Sequence, residues 1–352
     1  MDRHEDRGIQ PGIGTAQLKQ LLDRVARQTQ AYPFKAWGFG EAIAMLGLLA
    51  AARVTGDNRH RAFVGAQFDR WRAARQDRLD FVDHVTPGVP LLFLARDDSR
   101  WMPAAMAVGR LFAAFPRPSG IPVHRPDLDL WASHVWVDCL YTDGAFLALL
   151  ARMTGDHAWE DLACEQTHAY MRVLWDEPRG LFVHGFDVAT GRANTVHWGR
   201  GNGWAMLGLL DFLRVLRRDH PAWAPLASIV RRQITEMVSL QDRSGHWHTV
   251  LDQAQTYLEP SVAAMMAYAL PAAVRLSLAA PSAGTAGAQA FHAALAAVDA
   301  SGALAGVSEA TPAGDVSTYA TRPTGVYPWG QGPLLLAIAD RLVPDCLWDE
   351  VL

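Results

Sequence analysis

Histidine and tryptophan side chains are concentrated in the stretches of this chain that interrupt its helical patterns. Seven of the 13 histidines lie in such stretches, namely His84, His124, His134, His184, His197, His246 and His248. Trp131, Trp198 and Trp247 lie there too. Indole rings stack on the C–H faces of sugars while neighbouring polar groups bind the hydroxyls. The pattern predicts a carbohydrate site. The alternative is that these rings only fill the interior of the fold.

The sequence offers no motif for cofactor chemistry. Its three cysteines, Cys139, Cys164 and Cys346, have no zinc-binding spacing. The stretch Gly201-Asn202-Gly203 is too short for a dinucleotide-binding fingerprint and follows no predicted strand. We therefore expect neither a metal nor an organic cofactor. The sparse, odd number of cysteines is typical of a reducing compartment.

The composition limits which binding partners the chain is expected to have. The chain has 352 residues, of which 50% are hydrophobic and 19% charged, with a net charge of -4 and no basic block. This excludes a disordered chain and disfavours a nucleic-acid partner. The longest apolar run, residues 42–52, is too short to cross a bilayer, and Met1–Gly14 contains no apolar segment typical of a secretory signal. We expect a cytoplasmic monomer or homodimer with no membrane partner.

Six apolar segments share one plan and are spaced by 50 to 68 residues. They begin near Trp37, Pro87, Asp138, Arg200, Ser261 and Trp329. Each is apolar nearly all round, which predicts a helix buried on most faces. Between them lie helices with a one-sided apolar stripe, such as Leu18, Leu21, Leu22 and Val25 in the first. Segments 101–115 and 286–298 complete six helices of this second kind.

The connections differ in length according to their direction. Links that leave a buried helix are short, and residues 54–57 and 153–156 are near copies in which Gly56 and Gly155 are suited to end a helix. Links that enter a buried helix are long, at about 76–86, 116–136, 176–199, 241–259 and 300–328. The pattern predicts an all-α fold, a twelve-helix (α/α)6 toroid over residues 15–352, after a disordered tail at 1–14. All long loops then lie on one face, with the inner-helix N-termini, which favour an anionic ligand.

Five motifs resemble one enzyme family over about residues 32–343. They are VDHVTPG (82–88), WVDCLYTDGAFLALLARMTGD (136–156), VHGFD (183–187), WGRGNGWAMLGL (198–209) and WGQGP (329–333). They resemble glycoside hydrolase family 105, the unsaturated rhamnogalacturonyl hydrolases, which are related to the unsaturated glucuronyl hydrolases. The resemblance implies a six-hairpin toroid that hydrates the C4–C5 double bond of a terminal unsaturated uronic acid. A carboxylic acid protonates C4, water adds at C5, and the hemiketal opens and releases the neighbouring sugar.

The resemblance also implies roles for individual residues. Asp138 matches the catalytic acid/base, and its pKa would have to rise by about two units or more to hold a proton near neutral pH. Burial beside Trp136 and repulsion from a second aspartate, Asp83, would supply this rise. An aspartate at a helix start is otherwise most often an N-cap. The candidate substrate-binding residues are His184, Trp198, Arg200, Trp204, His134, Trp136, Trp37 and Trp329. For Arg200 the alternative is a salt bridge within the ring, and for Trp204 core packing.

Two other functions fit a toroid of this kind. A sugar epimerase or isomerase would use two histidines on opposite faces of one carbon, but the loop histidines have no recognisable pairing. A non-catalytic carbohydrate-binding protein would keep the aromatic residues and would be free to lose Asp138, which is present. The favoured substrate is therefore a lyase-generated oligosaccharide of rhamnogalacturonan or a related polymer. Whether its unsaturated sugar derives from galacturonate or glucuronate is left open.

Overall fold

A computed structural model describes residues 13–34, 38–75, 80 and 82–349. Residues 1–12, which make up most of the predicted N-terminal tail, and the candidate residue Trp37 lie outside the described residues. Long helices follow one another from Thr15 to Leu342. The division into a tail and one catalytic domain over 15–352 stays a prediction.

Twelve of the described helices alternate between an outer and an inner position. The outer helices are α1 (Thr15–Ala31), α3 (Asn58–Arg75), α5 (Met102–Ala113), α8 (Ala158–Leu174), α10 (Trp223–Ser239) and α12 (Pro281–Ala296). The inner helices are α2 (Phe39–Thr55), α4 (Gly88–Asp97), α7 (Gly144–Thr154), α9 (Gly199–Val215), α11 (Pro260–Arg275) and α14 (Pro328–Leu342). Two short helices, α6 (Cys139–Thr142) and α13 (Val316–Ala320), lie in the connections.

The inner helices close into a ring. Helix α2 packs on α4, α4 on α7, α7 on α9, α9 on α11 and α11 on α14, and α14 returns to α2. Helix α14 also packs on α1. The predicted (α/α)6 toroid is therefore confirmed.

Burial follows the apolar patterns of the sequence. Every residue of α9 is buried, as expected for an inner helix surrounded by others. Helix α1 instead buries one stripe that includes Leu18, Leu22 and Val25. The predicted short links are also confirmed, because Gly56 and Gly155 end α2 and α7 in the left-handed conformation at φ 73° and 74°.

Short strands join the long loops on one face. Strands β1 (His134–Trp136), β4 (Gly185–Asp187) and β5 (Arg192–Ala193) form an antiparallel sheet in the order β1-β4-β5. Strand β2 (Trp175–Asp176) pairs with β3 (Leu181–Phe182), and β6 (Val307–Ser308) pairs with β7 (Thr324–Gly325). With two or three residues each, these strands are too short for an alternating pattern to reveal them. The pairing of Trp136 with Gly185 brings the segments around Asp138 and His184 together.

None of the helices in the described ranges combines the length and the hydropathy needed to cross a membrane.

Helix α9 and the segment that follows Asp138 touch through a glycine. A Cβ atom at Gly208 would lie 2.0 Å from the carbonyl oxygen of Leu140 in α6. We expect Gly208→Ala to lower the free energy of unfolding by about 3 kcal/mol, because the backbone of α6 must move away. The measurement is urea denaturation followed by circular dichroism.

Gly284, in outer helix α12, is the matched control. Its added Cβ would meet no atom closer than Val274 Cγ2 at 3.9 Å. Gly284→Ala should raise the free energy of unfolding by about 0.5 kcal/mol through the loss of freedom in the unfolded chain. Equal stabilities of the two variants would contradict the close contact between α6 and α9.

Candidate active site

Asp138 lies where β1 leads into α6, at the loop end of the ring. Its side chain is buried, with 4% exposure. The backbone N–H of Val137 donates to the carbonyl oxygen of His184 over 2.8 Å, which continues the β1–β4 pairing. Asp138 Oδ2 lies 3.6 Å from His184 Nε2. Both atoms are buried, and neither has a hydrogen-bond partner among the described residues.

The pKa of Asp138 is the first correction to the sequence-based expectations. Burial would raise the pKa of this carboxyl, but the interactions with His184 and with His124 outweigh burial. The pKa of Asp138 therefore lies below the ordinary aspartate value, instead of about two units above it. In the unliganded protein Asp138 is a carboxylate at neutral pH.

The role expected of Asp83 is the second correction. Asp83 Oδ1 lies 2.9 Å from His124 Nε2, and both side chains are buried. Burial would lower the pKa of His124, yet the Asp83 carboxylate, together with Cys139, holds it well above the ordinary histidine value. The His124 cation thus neutralises Asp83. The expected repulsion is wrong, because the pKa of Asp138 is lowered by His184 and His124, and Asp83 does not raise it.

Aromatic rings line the site. The Trp136 ring lies between the rings of His124 and His184, with centroids 4.8 Å and 5.5 Å away. The Trp198 ring lies 4.3 Å from the ring of His184. The fully buried imidazole of His184 is therefore in contact with two indole rings that come from different loops. This packing limits how far His184 can turn relative to Asp138.

Arg200 uses its guanidinium group within the protein. Its nitrogens donate to the carbonyl oxygens of Ser308 and Glu309, at 3.1 Å and 2.8 Å, and to the hydroxyls of Ser308 and Thr311. The group also lies 3.6 Å from Glu259 Oε1 and 4.6 Å from the centre of the Trp198 ring. These contacts favour the alternative interpretation, in which Arg200 ties the ring together. Direct substrate binding by Arg200 stays a prediction.

The remaining candidate substrate-binding residues differ in how far they are buried. Trp204 is fully buried with its ring 4.9 Å from that of Tyr141, which favours core packing. His134 is half-buried in β1, opposite Asp187 of β4. Trp329 is half-buried at the start of α14, stacks on Tyr327 at 4.7 Å and donates to the Ser308 carbonyl oxygen. Contact of all three with a substrate stays a prediction, as it does for Trp37.

Three residues of the site were not predicted from the sequence. The Tyr319 hydroxyl lies 2.7 Å from His184 Nδ1, and Asn194 contacts the same hydroxyl. Glu259 is fully buried and accepts hydrogen bonds from the Ser308 N–H and the Ser261 hydroxyl. All three lie in loops that were predicted to be long and functional. No spacing in the sequence links any of them to Asp138.

A possible cation cluster lies away from this site. Asp23, Asp57 and His60 come close enough to share an ion. Both aspartates are already paired with arginines, Asp23 with Arg27 and Asp57 with Arg59. Among the residues that the structure describes, no such cluster includes a member of the candidate active site.

A closed ring of six helix pairs, with a buried carboxyl and several indole rings at one mouth, defines a six-hairpin glycoside hydrolase. The chain matches the model of Glycosyl Hydrolase Family 88 over residues 17–343 and belongs to that family. The predicted resemblance to the unsaturated uronyl hydrolases is thereby confirmed.

Relatives and solved structures agree with this assignment. The unsaturated rhamnogalacturonyl hydrolase YesR of Bacillus subtilis is 28% identical over 334 residues, covering 92% of this chain and 95% of YesR. A possible member of the GH105 family from Salmonella enterica superimposes with a TM-score of 0.86 at 23% identity, covering 96% of each chain. The unsaturated glucuronyl hydrolase of Bacillus sp. GL1 superimposes with a TM-score of 0.75 at 18% identity, covering 93% of this chain and 97% of that one.

The pair of His124 and Asp83 predicts a pH-dependent stability. The pKa of His124 is raised in the folded protein, so its contribution is fully present below about pH 6.5 and is lost as the pH rises through the folded-state pKa. We expect His124→Gln to lower the free energy of unfolding by about 3 kcal/mol at about pH 6, because it leaves a buried carboxylate unpaired. The deficit relative to the wild type should shrink towards alkaline pH. Urea denaturation across the pH range measures it.

The control is His246→Gln. Burial lowers the pKa of His246. Any difference in the free energy of unfolding between His246→Gln and the wild type should therefore not shrink towards alkaline pH. A deficit of His124→Gln that stays constant with pH would show that His124 is not the cation of this pair.

Proposed function

We propose that this chain hydrates the C4–C5 double bond of a terminal unsaturated uronic acid and thereby releases the adjacent sugar, with Asp138 as the acid and base. The observation that carries the proposal is the buried Asp138 carboxyl at the loop end of the ring, whose Oδ2 has no hydrogen-bond partner among the described residues. Family membership and the relative YesR support the same reaction class.

The reaction balances with one water molecule. The protonated Asp138 carboxyl gives its proton to C4, and positive charge develops at C5 and the ring oxygen. Water adds to C5 and returns a proton to the Asp138 carboxylate. The hemiketal at C5 opens to a ketone, which leaves a hemiacetal at C1. This hemiacetal collapses to an aldehyde and releases the neighbouring sugar as an alcohol.

Asp138 must gain its proton as the substrate binds, because its pKa is low in the free protein. The substrate carries a carboxylate of its own, which repels a second negative charge nearby. Its rings also displace water from the mouth of the toroid. Both effects raise the pKa of a buried carboxyl. The substrate therefore supplies the rise that Asp83, paired with His124, does not.

The surrounding residues have supporting roles in this proposal. Trp136 and Trp198 contact His184, and Trp329 lies nearer the rim, where its ring offers a stacking surface for sugars. His134, Trp204 and Trp37 are proposed as further contacts, and Asp83 is proposed to hold the substrate together with His124. Arg200 is proposed to bind the substrate while its guanidinium group also donates to the hydroxyls of Ser308 and Thr311.

The proposed substrates are short fragments that lyases leave from rhamnogalacturonan or a related polymer. This choice follows the printed activity of YesR. Because such fragments are late products of polysaccharide breakdown, we propose a cytoplasmic enzyme that acts as a monomer or homodimer. A panel of lyase-generated disaccharides tests the choice between galacturonate- and glucuronate-derived sugars. The ultraviolet absorbance of the unsaturated sugar disappears on hydration and reports turnover directly.

Asp138→Asn tests the assigned acid. We expect this variant to lose turnover by about a hundredfold or more, since an amide cannot protonate C4. Asp211→Asn is the matched control, because Asp211 is also 4% exposed, lies in α9 and has a pKa raised by burial to about 7. Asp211→Asn should keep a near-normal rate of turnover, measured as the decay of the substrate absorbance. Near-normal turnover of Asp138→Asn would overturn the role of Asp138.

The pH profiles provide a second test. The value of kcat/KM reports the free enzyme, in which the pKa of Asp138 is low. It should therefore fall about tenfold per pH unit across the neutral range. The value of kcat reports the enzyme–substrate complex, in which the pKa is raised, so its decline should begin at a higher pH. Coincident declines of kcat and kcat/KM would contradict proton uptake on substrate binding.

A further inference from the structure

A chain of hydrogen bonds begins at Asn194, passes through Tyr319 and ends at His184, whose Nε2 lies 3.6 Å from Asp138 Oδ2. The orientation of the Asn194 amide is set by backbone groups on both sides. Its Oδ1 accepts from the Gly185 N–H over 3.1 Å, and its Nδ2 donates to the Gly314 carbonyl oxygen over 3.1 Å. A backbone N–H only donates and a carbonyl oxygen only accepts. The second N–H of Nδ2 is therefore directed at the Tyr319 hydroxyl, 2.9 Å away.

The Tyr319 hydroxyl has only one direction left for its proton. Its oxygen accepts from Asn194 Nδ2 and from the Gly314 N–H, the latter over 3.3 Å. Both donors are fixed, so the hydroxyl proton cannot be directed at either of them. Among the described residues, the acceptor beside it is His184 Nδ1, at 2.7 Å. Tyr319 therefore donates to His184.

This donation determines where His184 carries its proton. A neutral imidazole has one N–H and one acceptor nitrogen. Because Nδ1 accepts from Tyr319, the proton of His184 is on Nε2, the nitrogen that lies 3.6 Å from Asp138 Oδ2. A second proton on Nδ1 would leave the Tyr319 hydroxyl proton without an acceptor. Burial, which lowers the pKa of His184, also favours the neutral ring.

We propose that Tyr319 is a positioning residue, which, with its orientation set by Asn194, holds His184 as the neutral ring whose Nε2–H is directed at the Asp138 carboxyl. When Asp138 gives up its proton, this N–H stabilises the carboxylate that forms and orients it towards the incoming water. This catalytic consequence rests on the proposed function. The state of the His184 ring does not, since it is a property of the unliganded protein.

Two loops, residues 176–199 and 300–328, must be assembled for this chain of hydrogen bonds to exist. Tyr319 lies in α13 and is separated from His184 by 135 residues. Asp315 is the N-cap of helix α13, and its side chain accepts from the Thr318 N–H. The preceding residues 308–311 are held by Arg200. The rim of the site thus positions Tyr319 before any substrate arrives.

The test is nitrogen NMR of the full-length protein labelled with 15N-histidine, without substrate. The His184 signals are assigned by their loss in His184→Gln. In the wild type at neutral pH, Nε2 should carry the proton and Nδ1 should not. In Asn194→Asp the new carboxylate accepts the Tyr319 proton, so a proton should appear on His184 Nδ1. In Tyr319→Phe the protonation midpoint of His184 should rise by roughly one pH unit, since the opposing donor is gone.

Tyr268→Phe is the matched control. Tyr268 is also buried, and its hydroxyl accepts from Trp348 Nε1 over 3.2 Å, so this variant loses a comparable hydrogen bond without contact to His184. It should leave the His184 signals unchanged. A wild-type ring protonated on Nδ1, or an unchanged His184 in both Asn194→Asp and Tyr319→Phe, would overturn the proposal.

Kinetics separate positioning from a structural role. With the substrate that the absorbance panel identifies, Tyr319→Phe should lower kcat by between about tenfold and a hundredfold and leave KM nearly unchanged. A loss confined to KM would overturn the positioning role. If the wild type turns over no member of the panel, the proposed function fails, whereas the NMR result still decides the state of His184.

Discussion

The structure of the site depends on the balance of charge around one buried carboxyl. Removing Asp138 from water would by itself favour its protonated form. Two histidines in different states reverse this preference: His124 is a cation held by Asp83, and His184 is a ring whose pKa is lowered by burial. The free protein therefore holds a carboxylate in an apolar place at small cost. A ligand that brings its own negative charge changes this balance, and that change is what a proton donor needs.

The helical ring and the loops contribute to this charge balance in different ways. The inner helices fix where each loop begins, and Gly208 allows α9 to approach the short helix α6 closely. The loops then meet through short strands, with β1 and β4 placing Asp138 beside His184. Arg200 joins an inner helix to residues 308–311 of a distant loop. Some buried polar groups of the site are thus paired across elements, whereas Asp138 Oδ2 and His184 Nε2 have no hydrogen-bond partner among the described residues.

Local features of the sequence predicted much of the fold and part of the site. Apolar segments predicted the six inner helices, and Gly56 and Gly155 predicted two of the helix ends. The motif around Trp136 and Asp138 indicated the residue that we propose as the acid. The protonation of Asp138 was not predictable, because it depends on His124 and His184, which only the loop pairing brings near. Tyr319 was missed for the same reason: its contact with His184 spans 135 residues and leaves no local pattern. The full burial of Trp204 was also not predictable, because it depends on packing around a closed ring.

Ring closure has a consequence for how the chain acquires its structure during synthesis. Helix α14 covers both α1 and α2, so two helices near the start of the described chain are completed by one that is made about 270 residues later. Until residue 342 has emerged, α2 packs on α1, α3 and α4 but lacks the cover that α14 provides. Contacts between such distant segments form slowly, and exposed apolar surface invites association with other chains. A nascent molecule of this toroid therefore leaves part of the apolar surface of α2 uncovered until α14 has been made.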